Sequence, residues 1–162
     1  MKRIAALALT LGTVASSTLY SQIYKDNIDF NHPSIQYFKA TPADPAARLA
    51  QDLREGRTTV KPVDGPLGYL PDILKHFGID TESQMLVFSK TSFQAQKISP
   101  DNPRAIYFND KVAVAYVRGS SAVEVAALDP ALGPMFYAVT FDTEGKATFS
   151  RSEVCLRCHQ GP

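Results

Sequence analysis

The sequence predicts an α+β fold, in which two short helices precede a largely antiparallel sheet of about six strands. Helical periodicity is confined to residues 44–78, whereas short β-branched and aromatic runs separated by polar turns fill residues 85–149. Because helices and strands occur in separate blocks, a segregated helix-and-sheet domain is favoured over alternating βαβ units. With 162 residues, of which 44% are hydrophobic, the chain suits a single folded domain, which we place at residues 44–154.

The N-terminus has the pattern of a secretory signal peptide. Lys2 and Arg3 form a basic start, an apolar run covers residues 4–15, and small residues follow it. We predict a signal peptide over residues 1–17, ending between positions 15 and 22, and therefore an exported protein located in the periplasm. The apolar run is shorter than the roughly 20 residues that a membrane helix needs. The alternative is an uncleaved N-terminal anchor, and no other transmembrane span is expected.

Residues 18–43 are predicted to form an irregular arm. Their aromatic residues follow no sustained period and are Tyr20, Tyr24, Phe30, Tyr37 and Phe38. The sequence of residues 31–34, which includes His32 and Pro33, is typical of a turn.

The first helix is predicted between Asp44 and Gly56. Asp44 can cap the N-terminus, Pro45 suits the first helical position, and Gly56 can end the helix. Leu49 and Leu53 are four residues apart and mark its buried face.

The second helix is predicted over residues 71–77. The apolar residues with the spacing of one helix face are Leu70, Ile73, Leu74 and Phe77. Gly78 then supplies a stop signal.

Six strands are predicted after residue 84. Their cores are residues 85–88, 105–108, 112–117, 123–128, 136–141 and 147–149. Short polar connections at residues 109–111 and 142–146 indicate hairpins, so neighbouring strands should be antiparallel.

The chain has no excess of basic residues that would indicate nucleic-acid binding. The chain has 17 basic and 16 acidic residues, which gives a formal charge of +1. Loss of Lys2 and Arg3 with the signal peptide would leave 15 basic residues against 16 acidic ones, a charge of −1. We therefore expect no nucleic-acid partner.

The final segment, residues 155–162, contains a C-x-x-C-H motif formed by Cys155, Cys158 and His159, and these two cysteines are the only ones in the chain. The spacing is typical of covalent c-type haem attachment. Two thiols three positions apart can form thioethers with the two vinyl groups of one porphyrin, and the adjacent histidine can bind the iron. We therefore predict one covalent haem c, tethered by Cys155 and Cys158, with His159 as the axial iron ligand.

Other uses of the motif fit the sequence less well. A thioredoxin-like cysteine pair belongs at the start of a helix in a βαβ unit, which is not predicted here. A zinc site would need a fourth ligand, and the sequence has no second C-x-x-C and no closely spaced histidine pair. A disulfide across two residues closes too small a loop to stabilise the fold much.

The candidates for a sixth iron ligand are the remaining histidines and the methionines of the mature chain: His32, His76, Met85 and Met135. His76 is predicted near a helix C-terminus, where the helix dipole alone explains a histidine. Met85 opens an apolar strand and is expected in the core. Met135 is predicted in the loop before the fifth strand, and His32 lies in the arm. The alternative is a five-coordinate iron.

Four features occur in a fixed order along the chain: SQMLVFSKTSFQ at residues 83–94, ISPDNPRAIYFND at residues 98–110, the pair Phe136 and Tyr137, and the C-x-x-C-H motif. Together they resemble a family of exported bacterial proteins with a cytochrome c domain. The resemblance covers residues 44–159 and implies export and haem binding. It implies no reaction, because the members of that family are uncharacterised. Similar proteins continue well beyond the motif, so we expect the natural chain to continue past Pro162.

Two classes of function fit a haem held in this way. In an electron-transfer protein, His159 and a sixth ligand hold an iron that exchanges one electron with a redox partner protein. In a haem enzyme of the peroxidase or oxidase type, the sixth site is open, and its catalytic residues are unknown. A non-haem exported binding module is a third alternative. We predict electron transfer.

The three residues after the motif cannot cover a haem, whose apolar faces favour burial. The pocket must therefore be built by upstream residues, by further residues or by a partner. Arg104 or Lys90 could pair with a haem propionate. We expect residues 44–151 to fold without cofactor and the terminal motif to be mobile.

Overall fold

The computed structural model describes residue 30 and residues 32–159, except for the side chains of Arg157 and Cys158. The predicted signal peptide at residues 1–17 lies outside the described residues, as do most of the predicted arm before position 32 and the last three residues of the chain. Within the described part of the chain, no helix is long and apolar enough to cross a membrane.

The α+β fold is present, as predicted. The helices are α1 (Pro45–Arg54), α2 (Leu70–Phe77) and the one-turn α3 (Leu156–His159), with short 3₁₀ segments at Thr81–Ser83 and Ala95–Lys97. The strands are β1 (Met85–Val87), β2 (Arg104–Phe108), β3 (Val112–Val117), β4 (Ala122–Asp129), β5 (Gly133–Phe141) and β6 (Ala147–Arg151). Residues 32–43 of the arm form turns and irregular segments, without a helix or strand.

Helix α1 begins where the sequence predicts. The Asp44 carboxylate accepts hydrogen bonds from the backbone N–H groups of Ala46 and Ala47 at 2.8 and 3.0 Å, which satisfies donors that have no partner inside the helix. Leu49 is buried against the sheet side, as predicted, and Leu53 is half-buried. The helix therefore rests on the core through the face that its apolar spacing defines.

Helix α2 ends at Gly78, also as predicted. Gly78 has a φ of 63°, a left-handed conformation that glycine adopts without a Cβ penalty. The N–H of Gly78 then donates to the Lys75 carbonyl oxygen at 3.1 Å, and the N–H of Ile79 donates to that of Leu74 at 2.9 Å. Leu74 and Ile79 are both buried, so the chain leaves the helix pointing back into the core.

The six strands form one antiparallel sheet in the order β1 to β6, so every strand pairs with its neighbours in sequence. Both predicted hairpins are present. Between β2 and β3, the Asn109 side-chain oxygen accepts two backbone N–H bonds at 3.0 and 2.9 Å. Between β5 and β6, the Asp142 carboxylate accepts two at 3.0 and 2.8 Å. Such turns are stabilised by a side chain that accepts hydrogen bonds from backbone N–H groups a few residues later in the chain.

The sheet has two faces with different coverings. The helix-covered face carries alternate residues of β3 to β5, including Val114, Val125, Met135 and Val139, which are at most 2% exposed. These residues share one apolar core with Ile73 of α2. The main core of the protein therefore lies between this face and the helices.

The opposite face, which we call the second face, carries the remaining residues of the same strands. Residues 88–103 cover part of it, where Ile98 and Val117 are 2% and 0% exposed. There the Glu124 carboxylate accepts hydrogen bonds from Ser92, from Gln94 at 3.0 Å and from Arg104 at 3.2 Å. Arg104, a predicted partner for a haem propionate, is thus paired with a carboxylate of the protein itself.

Candidate haem-attachment site

The C-x-x-C-H motif lies directly after the sheet, in the turn that follows β6 and in helix α3. The N–H of Ser152 donates to the Phe136 carbonyl oxygen at 2.8 Å, which extends the pairing with β5 by one residue beyond β6. The N–H of His159 donates to the Cys155 carbonyl oxygen at 3.2 Å and closes one helical turn. Leu156 is only 3% exposed and belongs to the main apolar cluster. The motif is therefore packed against the domain through Leu156.

Cys155 has a free thiol in a half-buried position. Its sulfur lies 3.4 Å from the Ser152 hydroxyl oxygen and donates a weak hydrogen bond to it. Cys158 follows three positions later inside α3, and its side chain is outside the described part of the structure. Positions three and four apart lie on the same side of a helix. Positions 155 and 159 are therefore one helical turn apart along the backbone.

The His159 side chain is exposed and lies over the second face of the sheet. Its ring centroid is 4.9 Å from that of Phe136, with the two rings inclined by 32°. Phe136 itself is 9% exposed and points away from the helix-covered face, because its neighbours Met135 and Tyr137 occupy that face. The motif's histidine is thus held beside an aromatic residue at the edge of an apolar surface.

These residues fit the covalent attachment of a haem c. A half-buried free thiol, a second cysteine at helical spacing and an exposed imidazole lie within one turn. An axial iron ligand must present an imidazole nitrogen to the haem, and the exposed His159 ring lies beside the aromatic ring of Phe136. Among the described side chains, no group of three or more His, Cys, Asp or Glu residues could hold a metal ion.

Two of the candidate sixth ligands lie on the helix side of the sheet. Met135 is the third residue of β5 and is fully buried in the main core, so the predicted loop position is wrong. Its side chain is on the face opposite Phe136 and the His159 ring. His76 lies in the last turn of α2, as predicted, with Nε2 at 3.0 Å from the Thr59 carbonyl oxygen.

The other two candidates are in different regions. Met85 is 51% exposed on β1, so its expected core position is wrong. It lies on the second face, but β1 is separated from β5 by four strand spacings, about 19 Å. His32 is exposed in a turn of the arm, where Nδ1 accepts a hydrogen bond from the Ser34 N–H at 3.2 Å. The structure does not gather the four candidates at one place.

A network that the sequence did not indicate holds the chain just before the motif. The guanidinium of Arg151 lies 4.3 Å from the centre of the Tyr37 ring and donates to the Tyr37 carbonyl oxygen. The Tyr37 hydroxyl donates to the Pro134 carbonyl oxygen at 2.8 Å. The Tyr137 hydroxyl donates to the buried Asp44 carboxylate at 2.5 Å. Burial and this carboxylate together raise the pKa of Tyr137 far above its ordinary value.

The partners in this network are 93 to 114 positions apart in sequence, so no local pattern could reveal them. The network ties the arm and the start of α1 to β5 and β6. It therefore fixes the direction in which the chain enters the motif.

Comparison of the chain with protein-family models, with curated proteins and with solved structures gave no match in any of the three.

Proposed function

We propose that this protein is an exported c-type haem protein that transfers single electrons. The observation that carries the proposal is the arrangement of Cys155, Cys158 and His159 within one helical turn that is docked on the domain by Leu156. The resemblance of residues 44–159 to exported cytochrome-c-domain proteins supports export and haem binding.

The chemistry of attachment needs no oxidant. Each thiol adds across one vinyl double bond of the haem: sulfur bonds to the inner carbon and the thiol hydrogen is transferred to the outer carbon. Cys155 and Cys158 thereby become thioethers, and His159 supplies a neutral imidazole nitrogen to the iron. The haem, when bound, supplies reversible one-electron exchange between ferric and ferrous iron. A redox partner protein is the implied source or acceptor of that electron.

The signal-peptide pattern at residues 1–17 supports attachment outside the cytoplasm. We place the mature protein in the periplasm, where the thiols of an exported chain meet haem during cytochrome maturation. A single N-terminal anchor in the membrane would give the folded domain the same location.

A second candidate function, a haem enzyme of the peroxidase or oxidase type, is favoured by one observation. Met135 lies on the opposite face of the sheet from the His159 ring, and Met85 lies on a strand about 19 Å from β5. An iron without a ligand from these side chains would have an open sixth position for a small substrate such as a peroxide.

Attachment is tested by expressing the full chain together with periplasmic cytochrome maturation proteins. We expect haem that survives acid-acetone extraction and denaturing electrophoresis. Cys155→Ala combined with Cys158→Ala should abolish this signal, whereas Ser152→Ala, which removes only the hydroxyl beside the Cys155 sulfur, should retain it. Covalent haem in the double variant would contradict the proposal.

The visible spectrum of the same preparation distinguishes the two functions. Sharp α and β bands after reduction indicate the low-spin iron of an electron-transfer protein. A high-spin spectrum that changes on addition of peroxide would favour the enzyme instead.

A further inference from the structure

One row of side chains crosses the second face of the sheet from β2 to β5. The strand register places Phe108 opposite Ala113, Ala113 opposite Ala126, and Ala126 opposite Phe136. The row is therefore two alanines between two phenylalanines. Three strand spacings separate its ends, about 14 Å, which is close to the breadth of a porphyrin ring.

This row is unusual for the outer face of an antiparallel sheet. Such a face is normally polar, because it meets water while the other face packs on the core. Here the row contains no polar side chain, Phe108 is 47% exposed, and the neighbouring Leu128 of β4 is 52% exposed. Between the two phenylalanines the row carries only the small side chains of Ala113 and Ala126.

The row begins at the motif. Phe136, at its β5 end, is the residue that contacts the His159 ring at 4.9 Å. A haem attached at Cys155 and Cys158 is thus anchored at one end of this apolar row, whose length is close to the breadth of the porphyrin ring.

We propose that the porphyrin ring packs against the row Phe108, Ala113, Ala126 and Phe136, so that the second face of the sheet forms one wall of the haem pocket. This inference rests on the proposed haem attachment. It gives the two alanines a role, because larger side chains there would hold the ring away from the sheet. It also assigns the exposed Leu128 to the rim of the pocket.

The test uses alanine-methyl NMR on the full chain with covalent haem, reduced under carbon monoxide so that the iron is diamagnetic. The reference is the haem-free Cys155→Ala/Cys158→Ala protein. The porphyrin ring current should give the methyl groups of Ala113 and Ala126 among the largest shifts in the spectrum. Ala127 is the matched control: it neighbours Ala126 in β4 but points into the main core, so its methyl should shift far less.

A second measurement does not depend on the haem-free reference. Leu128→Ser should alter the Soret circular dichroism of the holoprotein, because it changes the haem surroundings. Leu86→Ser replaces an equally exposed leucine, 49% against 52%, on the other face of the sheet, and should leave the spectrum unchanged.

The outcomes distinguish failure of the proposed porphyrin packing from failure of the proposed haem attachment. Covalent haem with shifts of Ala113 and Ala126 no larger than that of Ala127, or with equal effects of the two serine variants, would overturn the packing and leave the haem attachment standing. Concentration-dependent shifts of Ala113 and Ala126 in the haem-free protein would show that two copies pair through this face, and would also overturn it. Absence of covalent haem in the wild-type chain would overturn both proposals.

Discussion

Asp129, at the turn between β4 and β5, is a carboxylate that the fold keeps ionised although it is only 5% exposed. One oxygen accepts the N–H of Ala43 at 2.6 Å, and the other accepts those of Ala131 and Leu132 at 2.8 and 2.9 Å. Burial by itself would raise the pKa of this carboxyl. The backbone donors outweigh that effect and hold the pKa of Asp129 below its ordinary value.

Asp129→Asn should destabilise the protein most at neutral pH. The amide group presents N–H where the carboxylate accepted N–H bonds, so we expect a loss of about 1–3 kcal/mol in the free energy of unfolding at pH 7. A carboxyl whose folded-state pKa is depressed stabilises the fold above its unfolded pKa of about 3.9, and this contribution is lost as pH falls through the lower folded value. The difference between wild type and variant should therefore shrink below about pH 4.

Urea unfolding of both proteins between pH 2.5 and pH 7 measures this difference. Asp101→Asn is the control, because Asp101 is exposed in a turn and the substitution removes the same charge. Equal destabilisation by Asp129→Asn at every pH would show that the carboxylate's charge contributes nothing there.

The same turn explains an error of sequence interpretation. Gly133 and Pro134 are typical turn residues, so Met135 was predicted in a loop. In the fold, the Asp129 side chain closes the turn over residues 130–132, and Gly133 already pairs with Asp129. Strand β5 therefore begins at Gly133, three residues before the predicted start at Phe136, and Met135 lies in the core.

Among the secondary-structure elements, those with a strong local signal were predicted correctly. Asp44 and Gly78 mark their helix ends by hydrogen bonding and backbone conformation, which depend on a few neighbouring residues. Burial of the strands was harder to predict. Met85 lies in the three-residue edge strand β1. The sequence of β1 does not indicate that its side chains are left without other residues packed over them. The hydrophobicity of Met85 indicated the core, but its position at the sheet edge left it exposed.

Helix α3 also escaped prediction, since four residues cannot form a stable helix alone. Its order depends on tertiary packing, and Leu156 is the residue that supplies it. The one available signal was the apolar residue between the two cysteines, which could equally have served as a spacer.

Leu156→Ser should release the motif from the domain without unfolding the sheet. Burial of a leucine side chain contributes about 1.5–3 kcal/mol, and α3 has little other support. We expect the amides of Leu156 and His159, which bond to Glu153 and Cys155, to lose protection in hydrogen exchange measured by NMR.

Leu86→Ser is the matched control, because Leu86 is 49% exposed on β1, and the variant should leave those amides unchanged. The amides of β3 and β4 should stay protected in both variants. If the Leu156 and His159 amides exchanged equally fast in wild type and in Leu156→Ser, the packing of the motif through Leu156 would be wrong.

At the scale of the whole molecule, the sheet and its helices form the main core, against which Cys155 packs while the His159 side chain stays exposed. The largest fully buried side chains come from the arm, α2, the 88–103 segment and the sheet, including Tyr37, Ile73 and Ile98. The order of β2 to β6 follows from short connections, two of which were predicted as hairpins, whereas β1 is joined to β2 by residues 88–103. The burial of residues on both faces of the sheet could not be predicted, because the second face is covered by residues 88–103 and by the segment that contains Leu156.

The haem-free protein should therefore fold. We expect Cys155→Ala/Cys158→Ala to unfold cooperatively, within about 1 kcal/mol of haem-free wild-type protein produced without maturation proteins, because Cys155 is half-buried and contributes one weak hydrogen bond. Thermal unfolding followed by far-ultraviolet circular dichroism tests this, and hydrogen exchange should show protected amides in all six strands. A gradual, non-cooperative transition in both haem-free proteins, with a cooperative one only after haem attachment, would mean that the cofactor completes the core and that the sheet is not an independent scaffold for the motif.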